Sequence, residues 1–497
     1  MKLTILDSKS GEKTAKIDDI FIHSNYAPIK EAKKFCENIQ FSINPKVIIV
    51  VEPGLSYLYS EIKNLYPNAK IGIIRFSNLF SDYNKDWDFF INFFDKDIEN
   101  FESNITSLFS EELICSTVFL SWTATKNIFK NLDELLWQKI KYTVESARTI
   151  LVTRQYFEKK WLINFCNNLK YGNFFKIYNL ELSNKQITIV ASGPSLENSI
   201  EILKQYRNKL FIICLSSACS ILKYYEIEPD LYLSTDGGFW AGEHLKILKD
   251  SPTPLLLPFE GFCKKSILKK CKIIPAVYND GLTSKIINEL KLNFLELKRN
   301  GTVSGTALDF AIENSKKHIY FLGLDLQGSP SFQHTKPNVL ENNNLSKENK
   351  INNLETRQRK SQFNSSVLKI YRDWFCNYKK TKDVYRVIDS KNESLGKIKD
   401  IKSNEFENSL KNFIQHTETD FFNIQKIELQ KDEICKKAFD IIKKNITSSE
   451  WQCMLFPLDF VSLNNTKSQE QKEHLSKNIE EKTKNLENKI RKIFDYE

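Results

Sequence analysis

The chain has 497 residues, 41% of them hydrophobic, with ten cysteines and a formal net charge of +10, enough for several cores and about two to four domains. It has no apolar run of roughly 18 residues, no leader-like segment at Met1 and no zinc spacing around Cys214, Cys219, Cys263 or Cys271, so the expectation is no membrane span, no export, no structural zinc and a cytoplasmic location with reduced thiols. The positive charge is lysine spread along the chain; its densest cluster, Lys264 to Lys272, is short and broken by apolar residues, which argues against nucleic acid as a partner and leaves room for anionic small molecules.

Residues 1–170 read as an N-terminal Rossmann-like domain with a connector helix. Val47–Val51 and Ile71–Ile74 are short apolar runs of the kind that form buried parallel strands, and Pro53 and Gly54 make a turn between the first run and a helix. One Pro-Gly turn is weak evidence for a ligand, and a structural role is expected of it. Phe157, Trp161, Phe165 and Leu169 fall at helical spacing and mark the connector.

Residues 180–395 alternate strands and helices. The expected strands are Ile187–Ala191, Leu210–Leu215, Leu231–Ser234, Pro254–Leu257, Ile273–Val277 and Ile319–Leu324. Alternation of this kind predicts a doubly wound, parallel α/β sheet, whose ligands bind beyond the carboxyl ends of the strands. Four features fall there. Ser192, Gly193, Pro194 and Ser195 form a strand-to-helix turn; Asp236 is followed by Gly237 and Gly238, which let a ligand approach the backbone; Thr302, Ser304, Gly305 and Thr306 open a helix whose first amides and dipole favour an anion; and Asp325 ends the last strand, with Gln327 nearby. Ser, Gly and Thr are also ordinary capping residues, and Asp236 could merely cap the next helix. The pattern is neither a dinucleotide fingerprint nor a P-loop, and Ser195 lacks the setting of a nucleophile elbow.

From 328 to 366 the chain is polar and Asn-rich, as expected of a lid over the site. Residues 396–497 read as a charged, helical C-terminal region, in which Leu475, Ile479, Leu486, Ile490 and Ile493 make one apolar stripe for packing on the body or for self-association.

The blocks ASGPSL (191–196), IEPDLYLSTDG (227–237) and NGTVSGTALDFAIENSKKHIYFLGLDL (300–326) resemble the central domain of the motility accessory factor family of flagellin glycosyltransferases. They are similar, more distantly, to bacterial sialyltransferases that use CMP-sialic acid and to hydroxymethylpterin diphosphokinases. The resemblance implies transfer of a nonulosonic acid, of the pseudaminic or legionaminic type, from a CMP donor to Ser or Thr of flagellin. It places Ser192, Gly193, Pro194 and Ser195 along the nucleotide, with Ser216 beside them, and Thr302, Ser304, Gly305 and Thr306 along its phosphate. It implies no cofactor and leaves Mg²⁺ open.

An acceptor hydroxyl needs a base as the new bond forms. Among the six histidines, only His334 follows closely on a strand at the site edge. A histidine in the comparable region is the base of the sialyltransferases, so His334 is the candidate, with Asp236 and Asp325 as further catalytic carboxylates. The chain departs from the sialyltransferase pattern at Ala191 and Ser192, which replace Gly and Asn, at Val303, and in having His334 early in the polar loop. The remaining readings are an ATP-dependent pterin diphosphokinase, with Asp236 holding Mg²⁺, and a flagellin-binding accessory protein without turnover.

Overall fold

The structure, a computed structural model, describes residues 1–182, 185–315, 317–329, 332–356, 366–379, 383–414 and 421–495. It divides into two compact units, residues 1–158 with 446–485 and residues 159–445 with 486–497. The expected separate region at 396–497 is therefore corrected. Residues 446–485 hydrogen-bond into the first unit, where Asn44 N–H donates to the Asn465 carbonyl at 2.8 Å and Gln155 Nε2 to Asp459 Oδ2 at 2.7 Å. Residues 396–445 build sheet strands of the second unit.

In the first unit, β1 (Val47–Val51), β2 (Lys70–Arg75), β3 (Phe89–Asn92) and β4 (Thr117–Ser121) form a parallel sheet in the order β3-β2-β1-β4. Every residue of β1 is buried, as befits a central strand covered on both faces. A three-stranded antiparallel sheet precedes it, made by Leu3–Asp7, Lys13–Ile17 and Ile20–Phe21. The helix α1 (Lys130–Tyr171) contributes its first part to this unit and its last part to the second.

The second unit holds a nine-stranded sheet. Its strands are β5 (Gln186–Val190), β6 (Leu210–Leu215), β7 (Leu231–Leu233), β8 (Leu255–Pro258), β9 (Ile273–Tyr278), β10 (Leu295–Leu297), β11 (Ile319–Leu322), β12 (Val384–Val387) and β13 (Lys399–Ile401). All neighbours are parallel, in the order β10-β9-β8-β7-β6-β5-β11-β12-β13. The chain walks outward from β5 to β10, then returns to the far side of β5 with β11. The direction reverses between β5 and β11, and that switch point is where a sheet of this class opens a crevice. The helices that matter here are α2 (Phe239–His244), α3 (Val303–Asn314), α4 (Val339–Ser346) and α5 (Ser366–Cys376). Helix α3 lies on β5 and β6 through Ala307, Leu308 and Ala311, which share one core with Ile187, Ile189 and Phe211.

Helix α4 lies within the segment expected as a lid, of which 330–331 and 357–365 fall outside the described residues. The apolar stripe of the C-terminal region lies on the helix Gln469–Phe494, with Ile479, Leu486 and Ile490 buried. No helix among the described residues is long and apolar enough to cross a membrane.

Candidate functional site

At the switch point the two strand ends touch through their backbones. Ala191 N–H donates to the Leu322 carbonyl at 2.9 Å and Gly193 N–H to the Gly323 carbonyl at 2.8 Å, carrying the ladder past the ends of β5 and β11. Gly323 has φ +68°, and a Cβ there would stand 2.5 Å from the Ala191 carbonyl oxygen, so glycine is required. A Cβ on Gly193 would stand 2.2 Å from Asp325 Oδ2. That carboxylate accepts from Ser195 N–H at 3.0 Å, capping the short helical turn that begins at Pro194. Asp325, expected as a catalytic carboxylate, thus holds this turn through Oδ2. An anion at Ser195 would have to displace it. The Ser195 hydroxyl is buried and has no partner among the described residues.

The segment after β11 folds back over this turn as a strap. Thr335 N–H donates to the Ser192 carbonyl and its hydroxyl to the Gly193 carbonyl, both at 2.8 Å. Asn338 Nδ2 reaches the Ser217 carbonyl at 3.0 Å and caps α4 by accepting from Leu340 N–H at 2.9 Å. Ser192 and Ser217 hydroxyls are 2.8 Å apart, so Ser217, and not the buried Ser216, meets the turn. The strap carries His334, whose ring Nδ1 lies 3.1 Å from Glu341 Oε1. Glu341 is buried; burial alone would raise its carboxyl, but the hydrogen bonds and charge of His334 and the amide of Gln333 outweigh this and hold it below the ordinary range.

Asp236 lies beyond β7 and is exposed, with Oδ1 accepting from Gly238 N–H at 2.8 Å. It therefore does cap the loop into α2, and its second oxygen remains available. Helix α2 ends on His244, which is buried with Nδ1 unpartnered among the described residues. Burial first, and then the nearby charge of His334, push His244 below its ordinary value against the opposing pull of Asp236 and Glu243. Asp236, His244 and His334 thus form one cluster, although they come from three separate parts of the sequence. The Tyr371 phenol on α5 is pushed up by burial and then by the Asp236 carboxylate.

The α3 amino terminus belongs to the same opening. Trp374 lies three residues after Tyr371, hence on the same face of α5, and its ring stands where a Cβ on Gly305 would come within 2.9 Å. Thr302 is the α3 cap, its hydroxyl accepting from Gly305 N–H at 2.8 Å. Thr306 turns inward, 1% exposed, and donates to the Lys298 carbonyl at 3.2 Å, so its expected phosphate contact is corrected to a structural one. The amides of Val303 and Ser304 have no partner among the described residues. They are the donors an anion would find.

Several residues here were not anticipated. Asn164, on the last turns of α1, donates to the carbonyls of Gly237 at 3.1 Å and Glu260 at 2.9 Å, pinning the loops after β7 and β8. Arg299, after β10, pairs with Glu260 at 2.8 Å and Asp280 at 3.0 Å and lies over the rings of Tyr278 and Trp161. This clasp braces the Asn300–Thr302 turn. A lone Arg or Asn gave no signal, because each partner is distant in sequence. Among the described residues no group of three or more His, Cys, Asp or Glu side chains is arranged to hold a metal ion.

Residues 159–330 match the family model described as 6-hydroxymethylpterin diphosphokinase MptE-like. An uncharacterized protein of Treponema pallidum (strain Nichols) is 31% identical over 248 residues, which is 49% of this chain and 54% of that protein. A second uncharacterized protein of the same organism is 24% identical over 140 residues, 28% of this chain and 62% of that one. The chain thus spans little more than half the length of these relatives. Among solved structures, the MAf glycosyltransferase of Magnetospirillum magneticum AMB-1 superposes with a TM-score of 0.55 at 10% identity, covering 100% of this chain and 90% of that one. At that identity the likeness is one of fold.

Proposed function

We propose that this chain is a glycosyltransferase that moves a nonulosonic acid, of the pseudaminic or legionaminic type, from its CMP donor to Ser or Thr hydroxyls of flagellin in the cytoplasm. The observation that carries this reading is the cluster at the carboxyl edge of the sheet, where His334, held against Glu341, and Asp236 both act on His244, together with the open amides of Val303 and Ser304 at the start of α3. The whole-chain likeness to the MAf glycosyltransferase fold supports it.

In this reading the phosphate of the donor lies on the Val303 and Ser304 amides and the α3 dipole, which offset charge as CMP leaves. The acceptor oxygen forms its bond to the anomeric carbon while that carbon's bond to the phosphate oxygen breaks, and the hydroxyl proton passes to His334 Nε2. Asp236 orients the acceptor or the sugar through its exposed oxygen. The Ser192–Ser195 turn and the strap shape the nucleotide side of the crevice. The reading assigns no cofactor.

The match of 159–330 to the MptE-like model favours a second reading, an ATP-dependent pterin diphosphokinase, in which Asp236 and carboxylates gathered around it on binding would hold Mg²⁺. A thermal shift with CMP, ATP and GTP, each with Mg²⁺ and with EDTA, separates the two, because a ligand selective for the native state raises the midpoint. A shift by CMP that survives EDTA, followed by a mass increase of one nonulosonate on flagellin, is the expected result. A shift by ATP only with Mg²⁺ replaces the glycosyltransferase by the kinase. No shift, with flagellin still bound, leaves a binding protein without turnover.

A further inference from the structure

The structure assigns to Glu341 the task of a positioning residue: it fixes the proton of neutral His334 on Nδ1, so that Nε2 is the ring atom left to accept the acceptor's proton. The reaction in that statement rests on the glycosyltransferase reading; the geometry does not.

Glu341 Oε1 is the convergence point of three nitrogen groups, the backbone N–H of Gln333 at 3.1 Å, the backbone N–H of His334 at 3.2 Å and the ring Nδ1 of His334 at 3.1 Å. Two of these are amides and can only donate. The oxygen they share is therefore an acceptor, and an ionised carboxylate has no proton to give the third. Nδ1 must then be the donor, and a neutral imidazole protonated at Nδ1 carries its lone pair on Nε2. The hydrogen bonds and charge of His334 and the amide of Gln333 outweigh burial and hold the Glu341 carboxyl below the ordinary range, in agreement with an ionised group.

Two further features hold the arrangement in place. Glu341 occupies the first turn of α4, where the helix dipole favours a negative charge. Between His334 and Glu341 the strap is tied down by Thr335 to Ser192 and Gly193 and by Asn338 to Ser217. Ring orientation is thus fixed relative to the turn across which the nucleotide would lie. A further ionisable group that interacts with His334 is His244, which also feels Asp236. When the hydroxyl O–H bond breaks and Nε2 takes the proton, the imidazolium keeps its Nδ1–H on Glu341, whose charge offsets it without moving a second proton.

The test uses the full chain labelled with ¹⁵N-histidine. Long-range ¹H–¹⁵N spectra report the tautomer of His334, assigned by its loss in His334→Gln. Wild type is expected to show the Nδ1–H form, and Glu341→Ala to lose that preference. Glu341→Gln keeps an acceptor for the amides and preserves the strap, so it reads the charge alone: kcat is expected to fall about 10- to 100-fold with the KM for the sugar nucleotide unchanged, and Glu341→Asp to recover part of it. An Nε2–H form in wild type overturns the proposal, as does a kcat unchanged in Glu341→Gln. If wild type shows the Nδ1–H form, Glu341→Ala loses it, and no sugar nucleotide is turned over, the positioning role stands and the glycosyltransferase reading falls.

Discussion

The two parallel sheets end in opposite ways at their carboxyl edges. In the first unit the edge beyond β1 and β2 is filled from within. Glu52 and Arg75 pair at 2.8 Å, both fully buried; Arg75 also donates to the Gly54 carbonyl, Asn84 and Ser56, and Glu52 accepts from Phe76 N–H. The Pro53–Gly54 turn is closed by His23, whose Nε2 accepts from Leu55 N–H at 2.9 Å. In the second unit the equivalent edge leaves the Ser195 and Ser234 hydroxyls and His244 Nδ1 without partners among the described residues, and Asp236 exposed. Topology offers a crevice in both; the side chains at its rim decide whether it is plugged or kept for a ligand.

The sharpest way to break this comparison is Arg75→Met, which strands a buried Glu52. Losing one partner of a buried pair costs about 3–5 kcal/mol, so the urea midpoint of the first unit, followed at Trp87 and Trp122, should fall steeply while CMP binding by the second unit persists. An unchanged midpoint would mean the plug is not what closes that crevice. Next comes pH. His23 is pushed down from 6.5 to about 4, first by burial and then by the Arg75 guanidinium, which corresponds to about 3 kcal/mol. Because the folded value is depressed, this stabilisation is complete above pH 6.5 and is lost as the pH falls through 4. The melting temperature of the first unit should drop across that window, and His23→Gln should flatten the drop.

Gly193→Ala moves to the second unit and forces a methyl against the Asp325 carboxylate and the Gly323 carbonyl, the latter at 2.6 Å. Backbone cannot yield as a side chain can, and overpacking of this kind costs about 1–3 kcal/mol, readable as a lowered melting midpoint. The smallest effect is expected from Ser304→Ala. It should weaken CMP binding in calorimetry by about 1 kcal/mol, the worth of one hydrogen bond, and leave the melting midpoint unchanged. Equal affinity would remove the hydroxyl from the phosphate site.

The strands that periodicity found are those buried along their whole length, such as Leu210–Leu215 and Ile273–Tyr278. Those it missed are short or lie at the rim. Leu295–Leu297 has three residues, and Lys399–Ile401 is an edge strand whose charges keep it from pairing further. At the site, Thr302 was legible because a cap and its amide lie three residues apart. The bond of Asp325 to Ser195 N–H was not legible, because the two are close only in the folded sheet, and a carboxylate at a strand end reads the same whether it faces a ligand or its own backbone. Glu341 and His244 gave no signal for the same reason: their meaning depends on neighbours that the sheet brings together.

The order of strands also sets when the site comes into being. β5 to β10 add in sequence, each beside the last, so those pairings are local and can form early. β11 must instead cross back to the far side of β5, where Ile189 meets Phe321, and closing so long a loop is entropically the most demanding pairing of the sheet. The strap and His334 follow β11. A nascent chain that has emerged only as far as α3 therefore holds β5 to β10 without the crevice beside β11, and His334 arrives after β11. Assembly of the candidate site is in this way tied to completion of the fold.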